Sequence, residues 1–217
     1  MLLKNVSNQI KTVVSALLIS GLSINFAHAQ PLTCDQNTTH KNLQKICRGE
    51  FNNIRDELNE RILTASLVTD APLRLLDDTH ELWLNRLDEC KKTSCLKQQV
   101  EMRMEDLNFY TSMNQTLTQH YLKFEQGKLS KNPIHLKVHQ LTKDRIKVEG
   151  TAYRNPNGAL STQTIPLLAY TTPEKKSEIL DNEHDCKYQL NFQKALLVVK
   201  TQQKGCERFT GIYRLYD

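Results

Sequence analysis

Between residues 40 and 65 the apolar positions are Leu43, Cys47, Phe51, Ile54, Leu58, Ile62 and Ala65. Steps of three and four put them on one face of a helix, opposite a mixed-charge face of Arg48, Asp56, Glu57, Glu60 and Arg61. Asp70-Ala71-Pro72 then supplies an N-cap residue and a first-turn proline. The helix expected after it carries Leu73, Leu76, His80, Trp83, Leu84 and Leu87 on one stripe and ends near Cys90. Lys91-Lys92-Thr93-Ser94 is expected to form a short loop. A third helix is expected through Leu96, Val100, Met104, Leu107 and Thr111, running on through Met113, Leu117, Tyr121 and Phe124. Three amphipathic helices on short turns bury their stripes against one another as a bundle.

The pattern changes after the polar stretch 127–133, which is the expected domain boundary. Ile134, Leu136 and Val138 alternate with His135, Lys137 and His139, and Ile146 and Val148 alternate with Arg145, Lys147 and Glu149. Period two is the signature of a strand with one buried face. Asn155-Pro156-Asn157-Gly158 marks a turn. Further strands are expected at 164–171, 187–193, 195–201 and 208–215. The fold class is therefore α+β: a three-helix bundle over residues 30–126, stapled by disulfides, followed by a small antiparallel β domain over 134–217.

The N-terminus changes the picture of where the chain works. Lys4 and Lys11 precede the apolar run 13–22, and Ala27-His28-Ala29 places small residues at −3 and −1 of a cleavage site. These are the three parts of a secretory signal over residues 1–29. The apolar run falls short of the roughly 20 residues that a spanning helix needs, and Thr33 before Cys34 fits a lipoprotein signal poorly. The expected mature chain is periplasmic or secreted, with no membrane span. Removing two lysines lowers its net charge from +5 to +3. That charge is unevenly shared: 12 Lys+Arg against 15 Asp+Glu in residues 30–126, and 15 against 9 in residues 127–217. Opposite signs point to two surfaces with different partners.

An even count of six cysteines in an exported chain points to three disulfides. Their local grouping predicts Cys34–Cys47, Cys90–Cys95 and Cys186–Cys206. Cys47–Cys90 and Cys34–Cys95 are the helix-to-helix rivals. No metal is expected, since C-x₂-C spacing is absent and His184 beside Cys186 stands alone. His135 and His139 flank Lys137, which suits a solvated face better than a metal site. Trp83 lies on an apolar stripe and is expected in the core.

Catalytic chemistry finds no support. The sequence has no nucleophile elbow, His-Glu-x-x-His or phosphate loop, and its acids lie on polar helix faces rather than as a pair flanking a cleft. The expectation is a non-enzymatic protein without a cofactor. One charged feature stands out: Asp77, Asp78, Glu81, Asp88 and Glu89 form an acidic edge along the second helix. Off the apolar stripe, these side chains are expected to be exposed. They are either a solvated face or a patch that receives a basic partner, where complementarity raises the encounter rate.

Ile46-Cys47, Leu58, Trp83, Arg86, Asp88, Cys90, Cys95-Leu96, Arg103 and Leu107 resemble the LprI-type domain family, named for a mycobacterial lysozyme inhibitor. Two positions depart from that pattern: Leu87 separates Arg86 from Asp88, and Gln99 stands where tyrosine is usual. The second half is similar to the β domain often found beside it, through Ile146, Val148, Gly150 and Ala152 and through Cys186, Leu190, Phe192, Gly205-Cys206, Phe209, Gly211 and Tyr213. The resemblance implies a secreted or periplasmic binding protein that blocks a lysozyme. The expected partners are a basic lysozyme or another envelope protein, and not nucleic acid. The alternative is an envelope scaffold or interaction module with no enzyme target.

Overall fold

The computed structural model describes residues 31–34 and 39–217. The expected signal peptide and its cleavage site lie outside the described residues. Four α-helices come first: α1 (Leu43–Ile46), α2 (Asn52–Val68), α3 (Leu73–Asp88) and α4 (Thr93–Ser112). Nine strands follow: β1 (Thr118–Glu125), β2 (Lys128–Leu129), β3 (Ile134–Thr142), β4 (Arg145–Tyr153), β5 (Thr164–Thr171), β6 (Glu178–Leu180), β7 (Lys187–Phe192), β8 (Leu196–Lys200) and β9 (Gly211–Tyr216).

Most of each helical stripe is buried, with Leu58, Ile62, Leu76, Leu87, Val100 and Leu107 fully enclosed, but Leu73, expected on the α3 stripe, is 40% exposed and Leu75 is buried in its stead. The first helix is interrupted, however. Residues 40–65 form α1, a 3-10 turn at Gly49–Phe51 and α2. Cys47 ends α1 and is bonded to Cys34, so a covalent anchor sits where a continuous helix would run. Asp70 does not cap α3, whose N-cap is Pro72 with no side-chain bond. Thr69 Oγ1 instead accepts the Ala71 N–H at 3.1 Å.

The third helix stops at Ser112, and residues 118–125, expected in that helix, form strand β1. The sheet order is β5-β4-β3-β1-β9-β8-β7-β6, with β2 paired to β1. Every pairing is antiparallel. The polar stretch 127–133, expected to separate two domains, falls inside this sheet, because Lys128 pairs with Glu125 and Leu129 with Phe124. Gln126 and Gly127 both take positive φ, 52° and 77°, the signature of a two-residue hairpin turn matched to strand twist.

The sheet curls until its two end strands meet. Asn182 N–H donates to the Leu168 carbonyl at 2.7 Å, and Leu168 N–H donates to Asp181 Oδ1 at 3.0 Å. Asp181 is fully buried at this seam, and its Oδ1 also accepts the Glu183 N–H at 3.1 Å. The nearly closed barrel is filled by Leu136, Val138, Val148, Leu167, Ala169, Leu190, Leu197, Val199 and Tyr213. Phe209 plugs it beside Gly150, where an added Cβ would lie 2.5 Å from Leu136 Cδ2 and 3.1 Å from Phe209 Cε1. Glycine is the residue that lets that ring approach the backbone.

The helices lie on the outer face of this barrel. Leu122 of β1 and Tyr216 of β9 belong to the same buried cluster as the helical stripes. The arrangement is thus mixed helix and sheet, but the β part is a nine-stranded, nearly closed sheet against which the helices pack, rather than a small appendage after a bundle. The three disulfides pair locally: Cys34–Cys47, Cys90–Cys95 and Cys186–Cys206. Among the described residues, no helix is long and apolar enough to cross a membrane.

Candidate functional site

The acidic edge of α3 does not stay together as a free surface. Glu81 and Glu89 are exposed, while Asp77, Asp78 and Asp88 are half-buried. Asp88 works as a clamp: its carboxylate accepts the Asn42 N–H at 2.9 Å and lies 2.8 Å from His40 Nδ1. Asn42 completes the clamp by donating from Nδ2 to the Leu87 and Cys90 carbonyls at 2.8 and 2.9 Å. Asp78 accepts the hydroxyl of Tyr216 and faces Arg74 Nε at 3.7 Å. These aspartates are partly enclosed because α1 and β9 dock against α3, a packing that the spacing of acids along one helix cannot reveal.

The exposed acids instead border a groove of about 670 Å³. Asp78, Glu81 and Glu89 line the α3 wall together with Arg74 and Arg86, and Lys128, Lys131 and Arg214 line the other. The β1–β2 hairpin with its positive-φ turn carries Lys128. The acidic helix and the basic half of the sequence therefore face each other across one cleft.

A second site lies deeper, between α3, α4 and the outer face of β3 and β4. The alternation that buries Leu136 and Val138 inside the barrel turns His135, Lys137 and His139 outward, and the helices cover that side. His135 and His139, expected on a solvated face, are enclosed there. His120 Nδ1 lies 3.1 Å from His135 Nε2. Burial is the main cause that drives the His120 imidazole down to about 3, helped by the Lys137 charge. The same enclosure, with His120 and Lys137 beside it, holds His135 well below the usual histidine range. Both are neutral at physiological pH.

Glu149 of β4 receives Lys137 Nζ at 2.8 Å, His139 Nε2 at 3.1 Å and Lys147 Nζ. Burial pushes its carboxyl up, but the His139 hydrogen bond and the lysines outweigh this and hold it well below the usual carboxylate range. Lys137 Nζ also sits 3.8 Å from the centroid of the Phe109 ring on α4, a cation–π contact.

From the helical side, Arg103 is 1% exposed and Arg86 is 5% exposed. Arg103 Nη1 donates to Thr79 Oγ1 and Nη2 to the Leu76 carbonyl, both at 3.3 Å. Arg86 Nη1 donates to the Arg154 carbonyl at 2.6 Å, and its guanidinium stacks on Tyr153 at 4.9 Å. Asp106 accepts the Tyr153 hydroxyl at 3.1 Å. Burial raises the Asp106 carboxyl, with the Arg103 charge opposing. Burial likewise raises the Tyr153 phenol well above its usual value, reinforced by the Asp106 charge. Trp83 is in the core as expected, and its Nε1 donates to the Gln99 carbonyl at 2.7 Å.

None of these interfacial groups was singled out in the sequence as a site. A signal was present in Arg103: it follows Leu96 and Val100 and precedes Leu107 at helical spacing, so it occupies an apolar stripe. Among the described residues, no group of three or more His, Cys, Asp or Glu side chains is placed to hold a metal ion. Comparison with family models, with curated proteins and with solved structures finds no match.

Proposed function

We propose that this is an exported, non-enzymatic binding protein that blocks a basic cell-wall glycosidase of the lysozyme type. The observation that carries the reading is the groove in which exposed Glu81 and Glu89 of α3 stand opposite the Lys128 hairpin. Enzymes that cleave glycosidic bonds use a pair of carboxyl groups in a cleft. A lysine projecting from a hairpin suits that cleft, and acidic side chains suit a basic rim around it. The three disulfides fit folding in an oxidising compartment, and the resemblance of residues 34–107 to the LprI-type family points the same way.

Lysozyme turnover with the purified mature protein tests the reading. Inhibition saturating at an equimolar ratio and lost in Lys128→Glu is the expected result. An unchanged rate at micromolar excess would overturn it.

One observation favours an envelope interaction module instead. Leu67, Val68, Leu73, Met113 and Leu117 are large apolar side chains left 40–75% exposed. Asp70, Pro72 and Leu117 line one hollow, so these residues gather at one end of the helices. Such patches mark contact sites for other proteins. Self-association or envelope pull-down that persists when the groove is mutated, and disappears in Leu67→Ser with Leu117→Ser, is the result this second reading expects.

A further inference from the structure

The helices and the barrel enclose a cavity of about 180 Å³. A water needs roughly 10–15 Å³ of such space, so there is room for a ligand of about ten non-hydrogen atoms. Trp83, Met102 and Phe109 give the cavity an apolar wall, and Arg86 and Arg103 are also part of its lining.

The two arginines make this space unusual. Buried charges are normally paired. Among the described residues, none of the ion pairs includes Arg86 or Arg103. Each also keeps one buried N–H group without a partner, Nη2 of Arg86 and Nε of Arg103. Their neighbour Asp106 is already engaged by Tyr153, and Lys137 is neutralised by Glu149 at 2.8 Å. Glu105 also lines the cavity but is an exposed residue, so Asp106 is the one enclosed carboxylate facing two enclosed guanidiniums. Guanidinium forks match carboxylate geometry.

We propose that this cavity binds a small organic acid, with its carboxylate on Arg86 and Arg103 and its apolar body against Trp83, Met102 and Phe109. Leu82, Arg86 and Pro133 line both the cavity and the groove beside α3, so the two spaces are neighbours. Binding of such an acid is measured without lysozyme, so its failure and the failure of the proposed function are distinguishable.

The chain has one tryptophan, and it lines the cavity, so its fluorescence reports occupancy directly. Full mature protein is titrated with benzoate, with its neutral counterpart benzamide, and with inorganic phosphate. The expected result is saturable quenching or shift with benzoate, none with benzamide up to about 10 mM, and phosphate weaker than benzoate. Arg86→Gln weakens benzoate by at least about tenfold, the cost of one charge-assisted hydrogen bond. Arg86→Lys, which keeps the charge and loses the fork, falls between. Arg103→Gln gives a similar loss where it melts cooperatively. Where it does not fold, the benzoate–benzamide pair on the unaltered protein and the Arg86 variants decide. The proposal is overturned if benzoate fails to bind up to about 10 mM, if benzamide binds as well, if Arg86→Gln binds unchanged, or if phosphate binds more tightly than benzoate.

Discussion

The inward and outward faces of β3 and β4 share one backbone and carry different chemistry. Inside the barrel lie Leu136, Val138, Val148 and Ala152, where burial is governed by shape and apolar area. Outside, the same strands present His135, Lys137, His139, Glu149 and Tyr153 to Arg86, Arg103, Asp106 and Phe109 of the helices. Desolvating charges costs about as much as their pairing returns, so this interface adds little to stability for its size. It fixes instead which helix face meets which strand. The barrel holds the molecule together, and the interface holds a cavity open within it.

That contrast can be broken or sharpened in four ways. Leu136→Ala or Leu197→Ala inside the barrel is expected to cost about 2–5 kcal/mol by leaving a cavity, read by chemical denaturation. Removing Cys186–Cys206 as paired serines is expected to cost about 3 kcal/mol, from the entropy of a loop closed across 20 residues. A smaller loss from either would mean the barrel is not the main source of stability.

The third effect belongs to the interface and depends on pH. Unfolded imidazole titrates near 6.5, whereas burial puts His120 at about 3 and His135 well below the usual range. His80 beside Trp83 is also driven to about 3, by burial first and then by the Arg103 charge. Between these values the unfolded chain takes up protons that the folded chain refuses. Stability is therefore complete above about pH 6.5 and declines as pH falls towards 3. Lys137, His139 and Glu149 face His120 and His135. Glu149 stays ionised through this range, so its pairs with the lysines persist. On the order of 1–2 kcal/mol per imidazole is lost by about pH 5, and His120→Gln should flatten a plot of melting temperature against pH. An equally steep plot for that variant would place the acid sensitivity elsewhere.

The smallest effect is expected at the groove. Glu81→Lys with Glu89→Lys should change stability by less than about 0.5 kcal/mol, because exposed charges contribute little. Asp88→Ala, which breaks the clamp on Asn42, should cost more, roughly 1–3 kcal/mol for a buried hydrogen-bonded group left unpaired. The same double change should slow association with a basic lysozyme at low salt and not at high salt. Equal association rates at low salt would remove the acidic wall from the proposed function.

Much of this was legible from residue pattern. Helical stripes, the alternation at 134–138 and 146–148, and local cysteine couples all follow from chemistry within a short stretch of chain. Strand β1 was not, for a physical reason. His120, Tyr121 and Leu122 are all buried, because one face of the strand lines the barrel and the other meets the helices. A strand covered on both faces loses its alternation, and Leu117, Tyr121 and Phe124 happen to continue the helical step of α4. The acidic edge was legible as composition but not as surface, because Tyr216 and His40 reach Asp78 and Asp88 from distant parts of the chain. The interfacial histidines read as solvated for the same reason: which layer covers a polar strand face is decided by packing between elements far apart in sequence.

Asp181 gives the barrel a further property. A curled sheet that stops short of closure ordinarily leaves two open borders, each a row of unpaired amides and carbonyls on which another chain can build. Here the carboxylate of Asp181 and the backbone of Asn182 occupy that border at Leu168. Asp181→Ala would leave the Leu168 amide bare along β5, and the expected result is growth of oligomers on heating, seen by light scattering while the unaltered protein stays a single species. Covering of that border therefore rests on one carboxylate and one backbone amide brought to β5 by the curl of the sheet.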